Sequence, residues 1–210
     1  MGSAIGFISQ KCGVGKSTLA RALACEVSKQ GMSVKISDLD IQQATSVNWH
    51  RRRLLSKLTP EIAVECYGSA AKSFIFLKDY DLLIIDGPAR ASKGTLEISK
   101  LCNLVIQPTG ASLDDLEPAI LTFHELVKEG IPREKLAFAL CRIGTESEAA
   151  DCRDYIDKAG YSIISGCLYE RPSYRQVQNL GYAVTETRYP SLNKNADSLI
   201  QSIIDRLANG

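Results

Sequence analysis

The chain has 210 residues, 45% hydrophobic and 23% charged, with a formal net charge of +1. That length suits a single domain spanning residues 1–210, since single cores stop growing at about 250–300 residues. The near-neutral balance excludes a global field for nucleic acid or membrane, so any such contact has to come from a local patch. Apolar "AIGFIS" (Ala4–Ser9) reads as a strand, and "STLARALACEVSKQG" (Ser17–Gly31) as a helix closed by Gly31. "SVKISDLD" (Ser33–Asp40) reads as a strand ending in two aspartates, followed by a helix over Ala44–Lys57. A weak strand "IAVECY" and a short helix over Ala70–Leu77 come next. "DLLIIDGPA" (Asp81–Ala89) and "NLVIQPT" (Asn103–Thr109) are continuous apolar strands, the second followed by the helix "LDDLEPAILTFHELVKEG". "KLAFALCRI" and "SIISGCL" complete the strand set. A final helix over Leu192–Leu207 places Leu199, Ile200, Ile203, Ile204 and Leu207 at helical spacing.

Continuous rather than alternating apolar strands imply burial on both faces, hence a mostly parallel sheet with helices on both sides. Ligands bind such sheets outside the carboxyl ends of the strands. The unusual residues of this chain fall there: Lys11–Thr18, Asp38, Asp40, Asp86 and Pro108–Asp115. The seven cysteines are dispersed, without a C-x-x-C pair, and read as reduced cytosolic thiols. The apolar runs are of strand length, so no transmembrane helix is expected.

"KCGVGKST" (Lys11–Thr18) has the ending of a phosphate-binding loop but departs from G-x-x-x-x-G-K-[ST], because Gln10 stands where the first glycine belongs. Gly13 and Gly15 let backbone N–H groups turn around phosphate oxygens, and the helix that follows adds its positive end. Lys16 is placed to reach the β- and γ-phosphates, and Ser17 to ligate Mg²⁺. Asp86, ending an apolar strand in the same sheet, supplies a second metal-side carboxylate. Asp38 and Asp40, two apart on a strand, project together if the strand continues. One would organise metal waters and the other orient an attacking water; the competing reading is a helix cap.

Together with "DLDIQQAT", "LLIIDGPA", "VIQPTGASLDDL" and "YERPSYRQVQNLGYAVTE", the loop resembles the deviant Walker A ATPases of the ParA/MinD type, in the same motif order. The resemblance implies the three-layer α/β P-loop NTPase fold, with ATP and Mg²⁺ as cofactors. It assigns nucleotide contacts to Lys11, Gly13, Val14, Gly15, Lys16, Ser17 and Thr18, and places the adenine near Arg171 and Pro172. Lys11, Lys16 and Asp40 would be catalytic, and Ser17, Asp40 and Asp86 would hold the metal, the aspartates through water. The family's signature lysine is Lys11 here; it crosses a homodimer interface to the partner subunit's nucleotide.

Two departures bear on hydrolysis and dimer affinity. Cys12 replaces a family glycine, so either its φ stays negative or the loop shifts, and Ile41 stands where proline is usual. Cys12 either packs passively or, beside two lysines, is an easily oxidised thiol.

The terminal helix carries only Arg206 among its last residues, so its apolar stripe is expected in the core and no membrane contact is expected. With the first strand opening the chain, no operator-binding helix-turn-helix is expected. The branch implied is the short, single-domain one: a cytoplasmic or nucleoid-associated switch with slow ATPase activity, stimulated by a partner protein. It would partition or position DNA or protein cargo through nonspecific DNA binding, which requires basic residues. Arg51, Arg52 and Arg53 form one candidate set and Arg171, Arg175 and Arg188 a second. The alternative is a metabolic enzyme of the dethiobiotin-synthetase or cobyrinate-amidase type, activating a carboxylate with ATP; Lys11 and the D-x-D…Q stretch favour the switch.

Overall fold

Strand β1 (Ser3–Ser9) lies at the centre of a parallel sheet in the computed structural model, which describes residues 2–89 and 92–209. On one side it pairs with β4 (Leu82–Ala89), then β2 (Val34–Asp38) and β3 (Ala63–Cys66). On the other side come β5 (Leu104–Thr109), β6 (Leu136–Ile143) and β7 (Ser162–Ile163), with β8 (Leu168–Tyr169) also pairing with β6. All of these pairings are parallel.

The strict alternation of strand side chains divides the core in two. Ile5, Phe7, Ile84 and Ile106 face one layer, where they meet α1 (Lys16–Lys29), α2 (Thr45–Leu55), α7 (Pro172–Asn179) and α8 (Pro190–Ala208). Ala4, Ile8, Leu83, Val105 and Phe138 face the other, covered by α3 (Ala70–Phe74), α4 (Ser92–Leu101), α5 (Leu113–Lys128) and α6 (Glu146–Lys158). The continuous apolar strands are therefore buried on both faces, and the three-layer fold is the expected one. The stripe of α8 is core: Leu199, Ile200 and Ile203 are buried against the sheet.

Five stretches differ from the sequence reading. "SIISGCL" is two short strands, because Gly166 adopts φ 82° with Leu199 backbone 3.3 Å from where its Cβ would stand. Helix α8 thus presses the chain into a turn between β7 and β8. The second strand stops at Asp38 and does not reach Asp40. Helices α4, α6 and α7 were not assigned from sequence. In α6 only Ala149, Cys152 and Ile156 are buried, a stripe too narrow to register as amphipathic.

Candidate functional site

The loop between β1 and α1 turns on two glycines in the left-handed region, Gly13 at φ 76° and Gly15 at φ 118°. A side chain at Gly15 would also meet the Cys141 Sγ atom at 3.1 Å, so this position has no room for one. Cys12 is not among the residues with positive φ, and its side chain is exposed and lines the cleft instead of packing away. The substitution of the family glycine is accommodated without strain. Lys16 opens α1, is 8% exposed and donates to the Lys11 carbonyl at 3.2 Å. Burial lowers its pKa, against the attraction of Asp86.

The loop faces an acidic wall across a cleft of about 270 Å³ lined by Lys16, Ser17, Asp38, Asp40 and Asp86 among others. Asp38 accepts the amides of Ser46 and Val47 on Oδ2, at 2.8 and 3.3 Å, and that of Asp40 on Oδ1 at 3.1 Å. It is thereby the cap of α2, whose N-terminal Ala44 at φ 45° has no side-chain cap of its own. Asp40, in the turn beyond the strand, accepts the Gln43 amide on Oδ1 at 3.1 Å and lines the cleft. Asp86 is 2% exposed; its Oδ2 accepts the Ser46 hydroxyl at 2.7 Å and its Oδ1 is buried with no hydrogen-bond partner among the described residues. Burial raises the pKa of both Asp38 and Asp86, and the proximity of Asp86 raises Asp38 further.

Several members of the site were not read from sequence. The Thr45 hydroxyl lies 3.1 Å from that of Ser17, and Ser46 joins Asp86 to the Arg21 Nε atom, which donates to it at 3.2 Å. Gln178 on α7 accepts from both Thr18 and Arg21 at 3.3 Å. Ser and Thr in the first turn of a helix are common as caps, so "TS" at positions 45–46 gives no separate signal. The first lysine is placed apart from the second: the Lys11 Nζ atom donates to Asp115 Oδ1 on α5 at 2.8 Å, and Lys11 does not line the cleft.

Across the loop a second cleft, about 300 Å³, shares Gly13, Gly15 and Thr18 with the first and is closed by Leu168, Arg171 and Tyr174. Arg171 lies over the Tyr169 ring at 5.5 Å, while Pro172 opens α7 beside it and is exposed. Glycines in the left-handed region, a buried lysine, paired hydroxyls and acids at strand ends are the groups that a phosphate and a cation require. Residues 5–205 match the model of the CobQ/CobB/MinD/ParA nucleotide-binding domain. The chain belongs to this family.

Its fold is similar to MinD, the septum site-determining protein of Pyrococcus horikoshii OT3 complexed with Mg-ADP. That match has a TM-score of 0.76 at 19% identity, covering 99% of this chain and 98% of that one. A McdA variant of Cyanothece complexed with ATP gives a TM-score of 0.74 at 16% identity, with 96% of each chain covered. A plasmid partition protein of Borrelia burgdorferi B31 bound to AMPPNP gives 0.70 at 18% identity, covering 98% of this chain and all of that one. No curated protein matches it by sequence.

Of the residues read as DNA contacts, Arg53 is not available for one. It is 1% exposed and clamped by Glu186 at 2.8 and 3.1 Å, the Thr59 carbonyl at 2.8 Å and the Gly181 carbonyl at 3.2 Å. A helix that runs past an acidic pocket buries whichever arginine meets it. Arg52 is half-buried and Arg51 is exposed. Arg171, Arg175 and Arg188 are all exposed, though Arg175 is paired with Glu170.

Proposed function

We propose that this protein is an ATP-dependent dimerisation switch with slow ATPase activity that partitions or positions DNA or protein cargo. The observation that carries the reading is the place of Lys11. A lysine inside a phosphate loop turns away from its own cleft and is held by Asp115, with side chains 40% and 27% exposed. An exposed pair of this kind is worth about 0–1 kcal/mol, so Lys11 is released readily to a stronger anion. The triphosphate of a facing subunit is such an anion, and its capture makes the dimer depend on the nucleotide.

The residues fit ATP and Mg²⁺. The buried Asp86 Oδ1, without a hydrogen-bond partner among the described residues, and the paired hydroxyls of Ser17 and Thr45 are hard oxygen donors suited to Mg²⁺. Ser17 would hold the ion directly, and Asp86 and Asp40 through water; bound there, Mg²⁺ neutralises charge on the terminal phosphates. Gly13, Val14, Gly15 and Thr18 would present the backbone and hydroxyl of the loop to phosphate, with Lys16 as its cation. Asp40, tethered by the Gln43 amide, would orient the attacking water. The MinD, McdA and partition proteins of similar fold, described with Mg-ADP, ATP and AMPPNP, support the choice of nucleotide.

Light scattering coupled to size exclusion, with ADP, ATP–Mg²⁺ and a non-hydrolysable ATP analogue, tests the switch. A dimer is expected with the triphosphates alone, and Lys11→Ala is expected to bind ATP yet stay monomeric. One mass in all three conditions would sink the reading. Added nonspecific DNA should retard the ATP form alone, and a partner protein should raise turnover.

A further inference from the structure

Helix α1 buries an arginine among residues that are otherwise small and apolar. Arg21 lies one turn beyond Ser17, between the fully buried Ala20 and Ala22, and is itself 7% exposed. A guanidinium is costly to remove from water unless its donors are met. Two of them meet neutral groups: Nε donates to Ser46 Oγ at 3.2 Å and Nη1 to Gln178 Oε1 at 3.3 Å. The guanidinium also lies over the Trp49 ring, 5.7 Å from its centroid. Arg21 is thus held from both α2 and α7, and it lines the acidic cleft with Asp38 and Asp86.

What Arg21 holds decides the direction of a proton. Asp38 and Asp86 stand opposite each other on neighbouring strands, and the fully buried Ser46 serves both. Its amide donates to Asp38 Oδ2 at 2.8 Å and its hydroxyl to Asp86 Oδ2 at 2.7 Å. A hydroxyl has one proton, a guanidinium only donates and an ionised carboxylate only accepts. With Arg21 donating to the Ser46 oxygen, that proton is directed to Asp86. Without Arg21, a helical serine is free to turn its hydroxyl to a carbonyl of the preceding turn and abandon the carboxylate.

We propose that Arg21 is a positioning residue of the cation site: anchored by Gln178, it fixes the Ser46 hydroxyl on Asp86 and so holds that carboxylate in one orientation for Mg²⁺. The inference rests on the nucleotide and cation reading above and adds to it a residue outside the phosphate loop and the strand ends. Arg21 acts on the ion in two opposed ways. Its charge repels a cation, while its hold on Ser46 prepares the carboxylate; losing an outer hydrogen-bond partner of this kind weakens metal binding by about 10–100-fold. The two differ in sign, so one measurement tells them apart.

The test is calorimetric titration with ADP, in Mg²⁺ and in EDTA, of wild type, Arg21→Gln, Ser46→Ala and the double variant. The ratio of the two affinities isolates the contribution of Mg²⁺, which general damage to the fold would leave unmoved. Arg21→Gln should lower that ratio by about tenfold while the affinity in EDTA stays unchanged. Ser46→Ala should lower it equally and the double variant no further, because both substitutions cut one relay. A ratio that rises in Arg21→Gln would overturn the proposal, since repulsion by its charge would then be its main effect. Additive losses, or an equal loss in Mg²⁺ and EDTA, would overturn it too. Ser46→Ala keeps the test decisive should Arg21→Gln not fold, because an unchanged ratio there means that no relay exists. Wild-type protein whose ADP affinity ignores Mg²⁺ would instead overturn the cation site, and one that binds no ADP the nucleotide site itself.

Discussion

Asp86 rests one oxygen on Ser46 and buries the other without a hydrogen-bond partner among the described residues, and burial outweighs the attraction of Arg21 and Lys16 for its charge. Asp86→Asn removes that charge and retains an acceptor for Ser46. The variant should be about 1 kcal/mol more stable without nucleotide, melting about 2–4 °C higher, and should lose Mg²⁺-dependent ATP binding. Parallel melts with and without Mg-ATP check both halves. Asp115 has the opposite relation to function, since it restrains a residue that acts elsewhere. Asp115→Ala frees Lys11 and should lower the ATP concentration needed for dimerisation by up to about fivefold, the worth of one exposed pair. A titration followed by light scattering measures it, and a higher requirement would show that Asp115 assists the dimer.

Helix α2 shows how an element can invert its expected faces. Its Arg53 is buried while Leu54 and Leu55 are exposed, because the helix packs on a turn whose Gly181 backbone stands against it. A Cβ on Gly181 would meet the Arg53 nitrogen at 2.3 Å, and the Trp49 indole donates to the Tyr182 carbonyl at 2.9 Å. Arg53→Ala leaves Glu186 with the Ala183 amide and Lys29 but strips the Thr59 and Gly181 carbonyls of their donor, and should cost about 1–3 kcal/mol, read by urea denaturation. This feature was not legible. "HRRRLLSK" reads as a cationic face, and the glutamate that buries Arg53 lies 133 residues on. Lys16, Ser17 and Asp86 were legible because each sits at the end of an apolar strand or opens a helix, a local signal. Asp38 and Asp40 were legible as a pair, but not which of them caps α2; that depended on where the strand stops. Ser46 and Gln178 gave no warning, since their roles exist only once α2 and α7 are docked on α1.

At the scale of the molecule, a net charge of +1 conceals a site that folding holds at a cost. Burial raises Asp38 and Asp86, so the folded state binds their protons more tightly than the unfolded chain does. Their penalty is present at neutral pH and is relieved as pH falls through the raised values toward the ordinary carboxylate range near about 4. Glu65 and Glu170 act the other way: Lys35 and Arg142 hold them low, and that stability is lost as pH falls below the ordinary range. The melting-temperature gap between Asp86→Asn and wild type should therefore narrow between pH 7 and about pH 5. A gap that stays constant over this interval would mean that Asp86 remains ionised in the folded protein down to about pH 5, and that burial does not raise it enough to matter. For DNA, the exposed Arg51 and Arg188 lie outside both clefts. Each charge reversal there should flatten the log K against log salt slope by about one if that side chain meets a phosphate.

The thiols carry a further consequence. Five of the seven cysteines are buried; Cys12 and Cys66 are exposed, and of these two only Cys12 lines the cleft beside Lys16. Maleimide labelling therefore divides the chain into one thiol that a seated nucleotide shields and one that it leaves open. The rate at Cys12, referenced to the rate at Cys66 in the same tube, is an occupancy meter that needs no introduced probe.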